Sequence, residues 1–266
     1  MPFLEQHDFT MHYEITDSGP ETILLIHGNI ASTRWWEKYI AYLPEGYRAV
    51  AMDLRGCGRS GHPTSGYTIR QFAADVHFLA EKLGLNRFHL LGHSMGGQIA
   101  LYYALHHSQM VQTMTLLDSV PAAGLALDDV ARAGFDLLMT EKAVLEQAVA
   151  SCMQYSSDHQ FIRQACDDAF GCAPNVFKDN PETTHQTALL HHVGLITAPT
   201  LIVHGREDLI IPLATMDSTI QAMPQAKVVL FDECGHSPQI EHPQEFSRVY
   251  HSFINQYPIT IKGGSQ

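Results

Sequence analysis

A six-residue segment at positions 92–97 constrains the fold of this chain more than any other feature. It reads Gly-His-Ser-Met-Gly-Gly and lies between a strand-like run at 88–91 and a segment, 98–106, whose apolar residues have helical spacing. A Gly-x-Ser-x-Gly motif between a strand and a helix predicts a sharp, strained turn that exposes the serine hydroxyl at the end of a sheet. The helix would point its positive dipole end at the place where an oxyanion forms. The motif therefore indicates acyl-transfer chemistry with Ser94 as the nucleophile.

Short apolar segments alternate with helical patterns along most of the chain. The strand candidates are residues 22–26, 47–52, 88–91, 113–117, 200–203 and 227–231, with an exposed edge hairpin at 13–15. Nearly continuous apolar runs suit strands that are covered on both faces, as in a parallel sheet. The clearest helices are predicted over 68–83 and 244–255. We therefore predict an α/β fold with a doubly wound, mostly parallel sheet, which would bind its ligand at the carboxyl ends of the strands.

Residues 121–195 break this alternation. They contain helix-like stretches at 125–139, 141–155 and 158–170, and then the helix breakers Pro174, Asn175, Asn180 and Pro181, which lead to another short helix. We interpret 121–195 as a helical cap inserted into a core formed by residues 1–120 and 196–266. The alternative is that some of these helices belong to the layer that covers the sheet.

Charge and cysteine content limit the possible partners. The formal net charge is −12, from 16 basic and 28 acidic residues, which argues against nucleic acids and anionic membranes as partners. No apolar run approaches the length of a membrane span, and residues 1–17 lack the apolar region of a signal peptide. The five cysteines show no Cys-x-x-Cys spacing, so we expect free thiols and a cytoplasmic protein. The 17 histidines show no metal-ligand spacing, so we expect neither a metal nor a cofactor. We expect a monomer or a homodimer.

Two later loops could supply the base and the acid that Ser94 needs. Asp208 follows the strand candidate at 200–203, and His236 lies in a loop before the last predicted helix. The chain order serine, aspartate, histidine is that of α/β-hydrolase triads. His236 would act as general base, and Asp208 would orient its ring and stabilise the imidazolium. Glu207 and Asp118 are the competing candidates for the acid.

These motifs together resemble the α/β-hydrolase family, of the compact serine esterase and lactonase type with a helical cap. The resemblance rests on His27-Gly28, the Asp-Leu-Arg-Gly-Cys-Gly-Arg-Ser run at 53–60, the serine turn, residues 199–212 and Gly235-His236. It covers nearly the whole chain. Met95, directly after the nucleophile, is the expected first backbone donor of the oxyanion hole. The resemblance implies that the second donor is Asn29, with Ile30 as second choice.

The residue at the turn narrows the reaction. Haloalkane dehalogenases and epoxide hydrolases of this fold use an aspartate there, so Ser94 favours carboxylic esters or lactones of small to medium neutral acyl groups. The alternatives are C–C bond hydrolysis or perhydrolysis with the same triad, and a ligand receptor that retains the fold. Arg34 and Arg206 are the only cationic candidates near the site. The predicted pocket residues are His93, Trp36, Met139, Met153 and Tyr155, although the last three could instead pack between helices.

Overall fold

The computed structural model describes residues 2–16 and 19–259. Residues 1, 17, 18 and 260–266, which the sequence analysis assigned to the core, lie outside the described residues. The described chain contains eight strands: β1 (Phe3–Glu5), β2 (Thr10–Ile15), β3 (Glu21–Ile26), β4 (Tyr47–Met52), β5 (Phe88–His93), β6 (Val111–Leu117), β7 (Thr200–Gly205) and β8 (Lys227–Phe231). Each predicted strand is present, and two of them, β4 and β8, have the predicted bounds.

All eight strands form one sheet in the order β1-β2-β4-β3-β5-β6-β7-β8. The strands from β4 to β8 along this order pair in parallel, whereas β1 and β2 form an antiparallel hairpin at one edge. Side chains of β3 alternate between two apolar clusters, with Leu24 and Ile26 in one and Ile23 and Leu25 in the other. This burial on both faces confirms the predicted doubly wound, mostly parallel sheet.

Ten α-helices are present in the described residues, together with short 3₁₀ turns. They are α1 (Glu37–Ile40), α2 (Ile69–Lys82), α3 (Met95–His106), α4 (Asp129–Thr140), α5 (Lys142–Ser151), α6 (His159–Phe170), α7 (Pro174–Gln186), α8 (Asp217–Ala222), α9 (Pro238–Glu241) and α10 (Pro243–Ile254). The start of α2 follows from its sequence, because the Thr68 hydroxyl accepts a hydrogen bond from the Gln71 N–H. No helix in the described parts of the chain is long and apolar enough to cross a membrane.

The four helices α4–α7 lie between β6 and β7, and residues 121–195, all of which are described, contain no strand. We call α4–α7 the insertion helices; their division from the core as a cap remains a proposal. The prediction of breakers followed by a separate short helix was wrong, because α7 runs through all four breaker residues. Pro174 occupies its first turn, where a missing N–H costs nothing. Pro181 lies in its interior and is buried, where it cannot donate the usual hydrogen bond to the carbonyl four residues earlier.

Candidate active site

The turn between β5 and α3 holds Ser94 in a strained conformation. Its φ of 55° and ψ of −122° lie outside the regions that non-glycine residues normally adopt. The turn is tight, since a Cβ on Gly92 would lie 2.1 Å from the Gly96 carbonyl oxygen. The Ser94 carbonyl accepts hydrogen bonds from the N–H groups of Gly97 and Val120, at 2.9 and 3.0 Å. These contacts fix the backbone, and Ser94 lies on the wall of a cavity.

His236 and Asp208 form a buried hydrogen-bonded pair in the loops that follow β8 and β7. The His236 Nδ1 donates to Asp208 Oδ2 at 2.7 Å, and the two residues are 3% and 4% exposed. The other carboxylate oxygen of Asp208 accepts from the Ile210 and Ile211 N–H groups. Burial alone would raise the pKa of Asp208, but the neighbouring His236 lowers it below its usual value. Asp208 is therefore held as a carboxylate that orients the imidazole. His236, like Ser94, lines the cavity.

The two competing acids lie in other environments. Asp118 directly follows β6, is fully buried, and accepts a hydrogen bond from the Gly205 N–H at 2.8 Å. Burial, and then the charge of Asp208, raise the pKa of Asp118 well above its usual value. Glu207 accepts from the Cys234 N–H at 3.1 Å. The hydrogen bond from His236 goes to Asp208.

One group of potential metal ligands lies behind this pair. Ligand atoms of Asp118, His204 and Asp208 are within 4.8 Å of one another. However, the His204 Nε2 donates to the Ile211 carbonyl at 2.8 Å, and both Asp208 oxygens already accept hydrogen bonds. A metal would have to displace a partner of Asp208, whereas His204 Nδ1 and Asp118 Oδ2 have no hydrogen-bond partner among the described residues. That the protein holds no metal stays an expectation.

The loop after β3 approaches Ser94 closely. A Cβ on Gly28 would lie 2.8 Å from the Ser94 Cβ and 3.3 Å from its Oγ, so only glycine fits there without displacement. Asn29 and Ile30, the two candidate oxyanion-hole residues of this loop, both line the cavity, as does Met95. Ile30 has a φ of 54°, in the left-handed region that a β-branched residue rarely adopts. The assignment of the second oxyanion donor stays a prediction.

A cavity of about 350 Å³ lies between the sheet and the insertion helices. None of the described residues that line the cavity is a lysine, arginine, aspartate or glutamate. The polar residues on the wall are Asn29, His93, Ser94, Asn180, Thr184 and His236. Most of the remaining wall residues are apolar, and five of them come from α4 and α5: Phe135, Leu138, Leu145, Ala148 and Val149.

Only one of the five predicted pocket residues, His93, lines this cavity. Its Nε2 donates to the His236 carbonyl at 2.8 Å, and its ring stacks on Trp35. Burial, and then the proximity of His236, lower the pKa of His93 to about 3, so the ring is neutral. His93 therefore packs against His236, whose assignment as the base stays a prediction.

The structure does not place the other four predicted residues on the wall. Trp36 is fully buried in the apolar cluster opposite, and Trp35 lines the cavity instead. In the same way Leu138 takes the place of Met139, and Cys152 that of Met153. One position along an α-helix turns a side chain by about 100°, and sequence periodicity cannot fix that angle. Tyr155 is 45% exposed and faces a separate surface depression with Lys38 and Glu241.

The two arginines considered near the site are both engaged elsewhere. The Arg34 Nε donates to Asp168 on α6 at 2.7 Å, and Arg206 pairs with Asp232. Asn180, by contrast, is a polar wall residue that the sequence analysis noted only as a helix breaker. The local sequence carries no signal for this contact, because its partner Asn29 lies 151 positions away.

Known proteins resemble this chain over most of its length. The family model for the alpha/beta hydrolase fold matches residues 21–243. A protein from Agrobacterium fabrum with the provisional name carbamate hydrolase RutD is 30% identical over 89% of this chain and 95% of its own length. A 2-hydroxy-6-oxononadienedioate/2-hydroxy-6-oxononatrienedioate hydrolase from Dechloromonas aromatica is 26% identical, over 93% and 91%.

A solved structure gives the same result. The bromoperoxidase from Bacillus anthracis superposes with a TM-score of 0.87 at 28% identity, covering 93% of this chain and 96% of its own. The family match spans most of the chain and includes the serine turn, and both relatives are covered almost completely. The chain belongs to the alpha/beta hydrolase fold family.

Proposed function

We propose that this protein is a serine hydrolase that cleaves carboxylic esters or lactones with small to medium neutral acyl groups through an acyl-enzyme. The observation that carries the proposal is the cavity, whose wall includes Ser94 and His236 and is otherwise mostly apolar and free of charged side chains. Its volume of about 350 Å³ is at the lower end of the range for ligand pockets, about 300–1,000 Å³.

In this mechanism the Ser94 hydroxyl attacks the substrate carbonyl while His236 accepts its proton. Asp208 holds the ring in the tautomer with the proton on Nδ1 and stabilises the imidazolium that forms. The oxyanion would be bound by the N–H groups of Met95 and Asn29. His236 then returns the proton to the leaving group, and water hydrolyses the acyl-enzyme by the same steps in reverse order.

The lack of charged side chains on the cavity wall favours substrates with neutral acyl groups. A carboxylate that entered this cavity would lose its hydration without gaining a cationic partner, which is costly in an apolar environment. Arg34 is held by Asp168 and Arg206 by Asp232. An ester of a monoacid or a lactone imposes no such cost.

C–C bond hydrolysis is the second candidate, because a relative named for a dienedioate substrate covers nearly the whole chain. It would use the same serine and histidine. It ranks second because a dienedioate carries two carboxylates, which the wall does not match. Perhydrolysis also needs only the same triad, and the likeness to a bromoperoxidase favours testing it as a side activity.

The first experiment compares hydrolysis of p-nitrophenyl acetate and butyrate by the wild type, Ser94→Ala and Ser119→Ala. Ser119 is a matched control, since it is buried near the turn but its hydroxyl donates to the Val120 carbonyl and does not line the cavity. We expect kcat to fall on the order of 10⁶-fold in Ser94→Ala and to be retained in Ser119→Ala. Equal activity of wild type and Ser94→Ala would refute the proposal.

A matched substrate pair tests the charge argument. p-Nitrophenyl hemisuccinate is close in size to the butyrate but carries a carboxylate. We expect kcat/KM for the hemisuccinate to be lower by a factor of about 10 or more, since an unpaired charge would enter an apolar wall. A preference for the hemisuccinate, or turnover of a 2-hydroxy-6-oxo-dienoic acid with no ester hydrolysis, would favour the second candidate.

A further inference from the structure

A side-chain hydrogen bond joins α7, one of the insertion helices, to the loop beside the proposed nucleophile. Asn180, on α7, is 1% exposed, and its Nδ2 donates to Asn29 Oδ1 at 2.8 Å. Asn29 directly follows Gly28, the residue that packs against Ser94. Both asparagines lie on the cavity wall. A movement of Asn180 would therefore be transmitted to the backbone next to the nucleophile.

Asn180 carries a buried polar atom that its hydrogen bond to Asn29 does not satisfy. Its Oδ1 is buried and has no hydrogen-bond partner among the described residues. A buried polar atom without a partner costs free energy, which offsets part of what the hydrogen bond from Nδ2 to Asn29 contributes. A polar group retained at such a cost is typical of a residue with a functional role.

The helix that carries Asn180 is itself fixed to the core at several other points. The Ile69 N–H donates to the Thr183 hydroxyl at 3.0 Å, and the Ala173 N–H donates to the Gly56 carbonyl at 2.8 Å. The Gln98 side chain on α3 donates to the carbonyls of Thr184 and Thr187. These contacts make α7 a fixed support, independent of the Asn29 contact.

The loop after β3 needs such a support. Ile30 holds a positive φ, which costs energy in a β-branched residue and persists only where neighbouring contacts enforce it. If the loop relaxed, its N–H groups would move relative to the carbonyl that Ser94 attacks. A displacement of about 1 Å in a reacting group can cost on the order of 10²-fold in rate.

We propose that Asn180 is a positioning residue that acts through the Asn29 side chain. It holds the loop after β3, which would supply the second oxyanion donor, in its active conformation. The inference rests on the proposed ester hydrolysis and adds a residue of the insertion helices to that chemistry. Asn180 acts on the transition state through the loop and does not contact the reacting atoms.

The test is a double-mutant cycle of Asn29→Ala and Asn180→Ala with p-nitrophenyl butyrate as substrate. We expect Asn180→Ala to lower kcat about 10- to 100-fold with KM changed by less than about threefold. Since both single variants remove the same hydrogen bond, the double variant should be no slower than the slower single variant. The inhibition constant of butylboronic acid, which forms a tetrahedral adduct with serine, should rise in proportion to the loss of kcat/KM.

Thr183→Val is the matched control, because it removes a buried hydrogen bond between the same helix and the core away from the cavity. It should lower the denaturation midpoint but leave kcat within about twofold, whereas Asn180→Ala should lower kcat at least about 10-fold for a midpoint change no larger than that of Thr183→Val. Unchanged kcat in Asn180→Ala, or independent effects of the two asparagines, would overturn the inference. If the wild type were inactive, or as active as Ser94→Ala, the proposed function itself would fail.

Discussion

Replacing Asp208 by asparagine should disable the proposed base with little change in shape. One Asp208 oxygen accepts from the N–H groups of Ile210 and Ile211, at 2.8 and 2.9 Å, and the other from His236 Nδ1 at 2.7 Å. An asparagine has one oxygen, so it keeps the two backbone hydrogen bonds only if its NH₂ group faces His236. The His236 Nδ1 would then have to accept, and its proton would move to Nε2.

The magnitude follows from that change of tautomer. An imidazole with its proton on Nε2 cannot accept the serine proton, and the same substitution in a serine protease lowers kcat about 10⁴-fold. At 1.36 kcal/mol per factor of ten, this is about 5.5 kcal/mol in activation free energy. Two of the three hydrogen bonds survive, so the fold should be retained, which circular dichroism would verify.

Asp118→Asn is the comparison that makes the assay decisive. Burial and the charge of Asp208 raise the pKa of Asp118 well above its usual value, which favours the uncharged carboxyl, and asparagine has nearly the same shape. The Gly205 N–H can still donate to the asparagine oxygen. We expect kcat for p-nitrophenyl butyrate to stay within about threefold of the wild type, against about 10⁴-fold for Asp208→Asn.

The opposite ranking would refute this reasoning. If Asp118→Asn lost activity and Asp208→Asn kept it, the triad acid would be Asp118, the residue after β6. The 2.7 Å hydrogen bond between His236 and Asp208 would then not be needed for activity. A large loss in both variants would mean that the two carboxyls act as one unit. Activity of both variants near that of the wild type would show that His236 needs no acid.

Three further predictions concern the strained Ser94, the buried His251, and Gly28, which packs against Ser94. Ser94→Gly should be more stable than Ser94→Ala by about 1 kcal/mol in thermal unfolding, because glycine accepts the φ of 55° without strain; an equal or lower stability would contradict this. Gly28→Ala should lower kcat/KM on the order of 10²-fold, because its Cβ would lie 2.8 Å from the Ser94 Cβ; activity within about twofold of the wild type would not fit. Burial lowers the pKa of His251 to about 4 in the folded protein. As the pH falls below about 6.5, His251 therefore binds a proton in the unfolded chain but not in the folded chain. The free energy of unfolding should therefore fall by about 1.4 kcal/mol between about pH 7.5 and about pH 5.5 on account of His251, and urea unfolding of His251→Gln should show a pH dependence smaller by that amount.

The sequence by itself determined the sheet, the serine turn and the order of the candidate triad. Strand bounds such as Tyr47–Met52 and the start of α2 after Thr68 follow from local apolar pattern and capping, which depend on neighbouring residues alone. The turn around Ser94 is local in the same sense, because glycines at fixed spacing permit a backbone that few other sequences can adopt.

Only the tertiary structure decided which side chains meet in the cavity. Trp35 and not Trp36 reaches the wall because the rotation of a helical turn depends on what packs behind it. Arg34 donates a hydrogen bond to Asp168 and does not line the cavity. Asn180 donates to Asn29, which is 151 positions away in the sequence. Periodicity measures spacing along one element, whereas these pairings depend on how separate elements dock. That docking keeps charged side chains off the cavity wall and places Asn180 against the loop after β3.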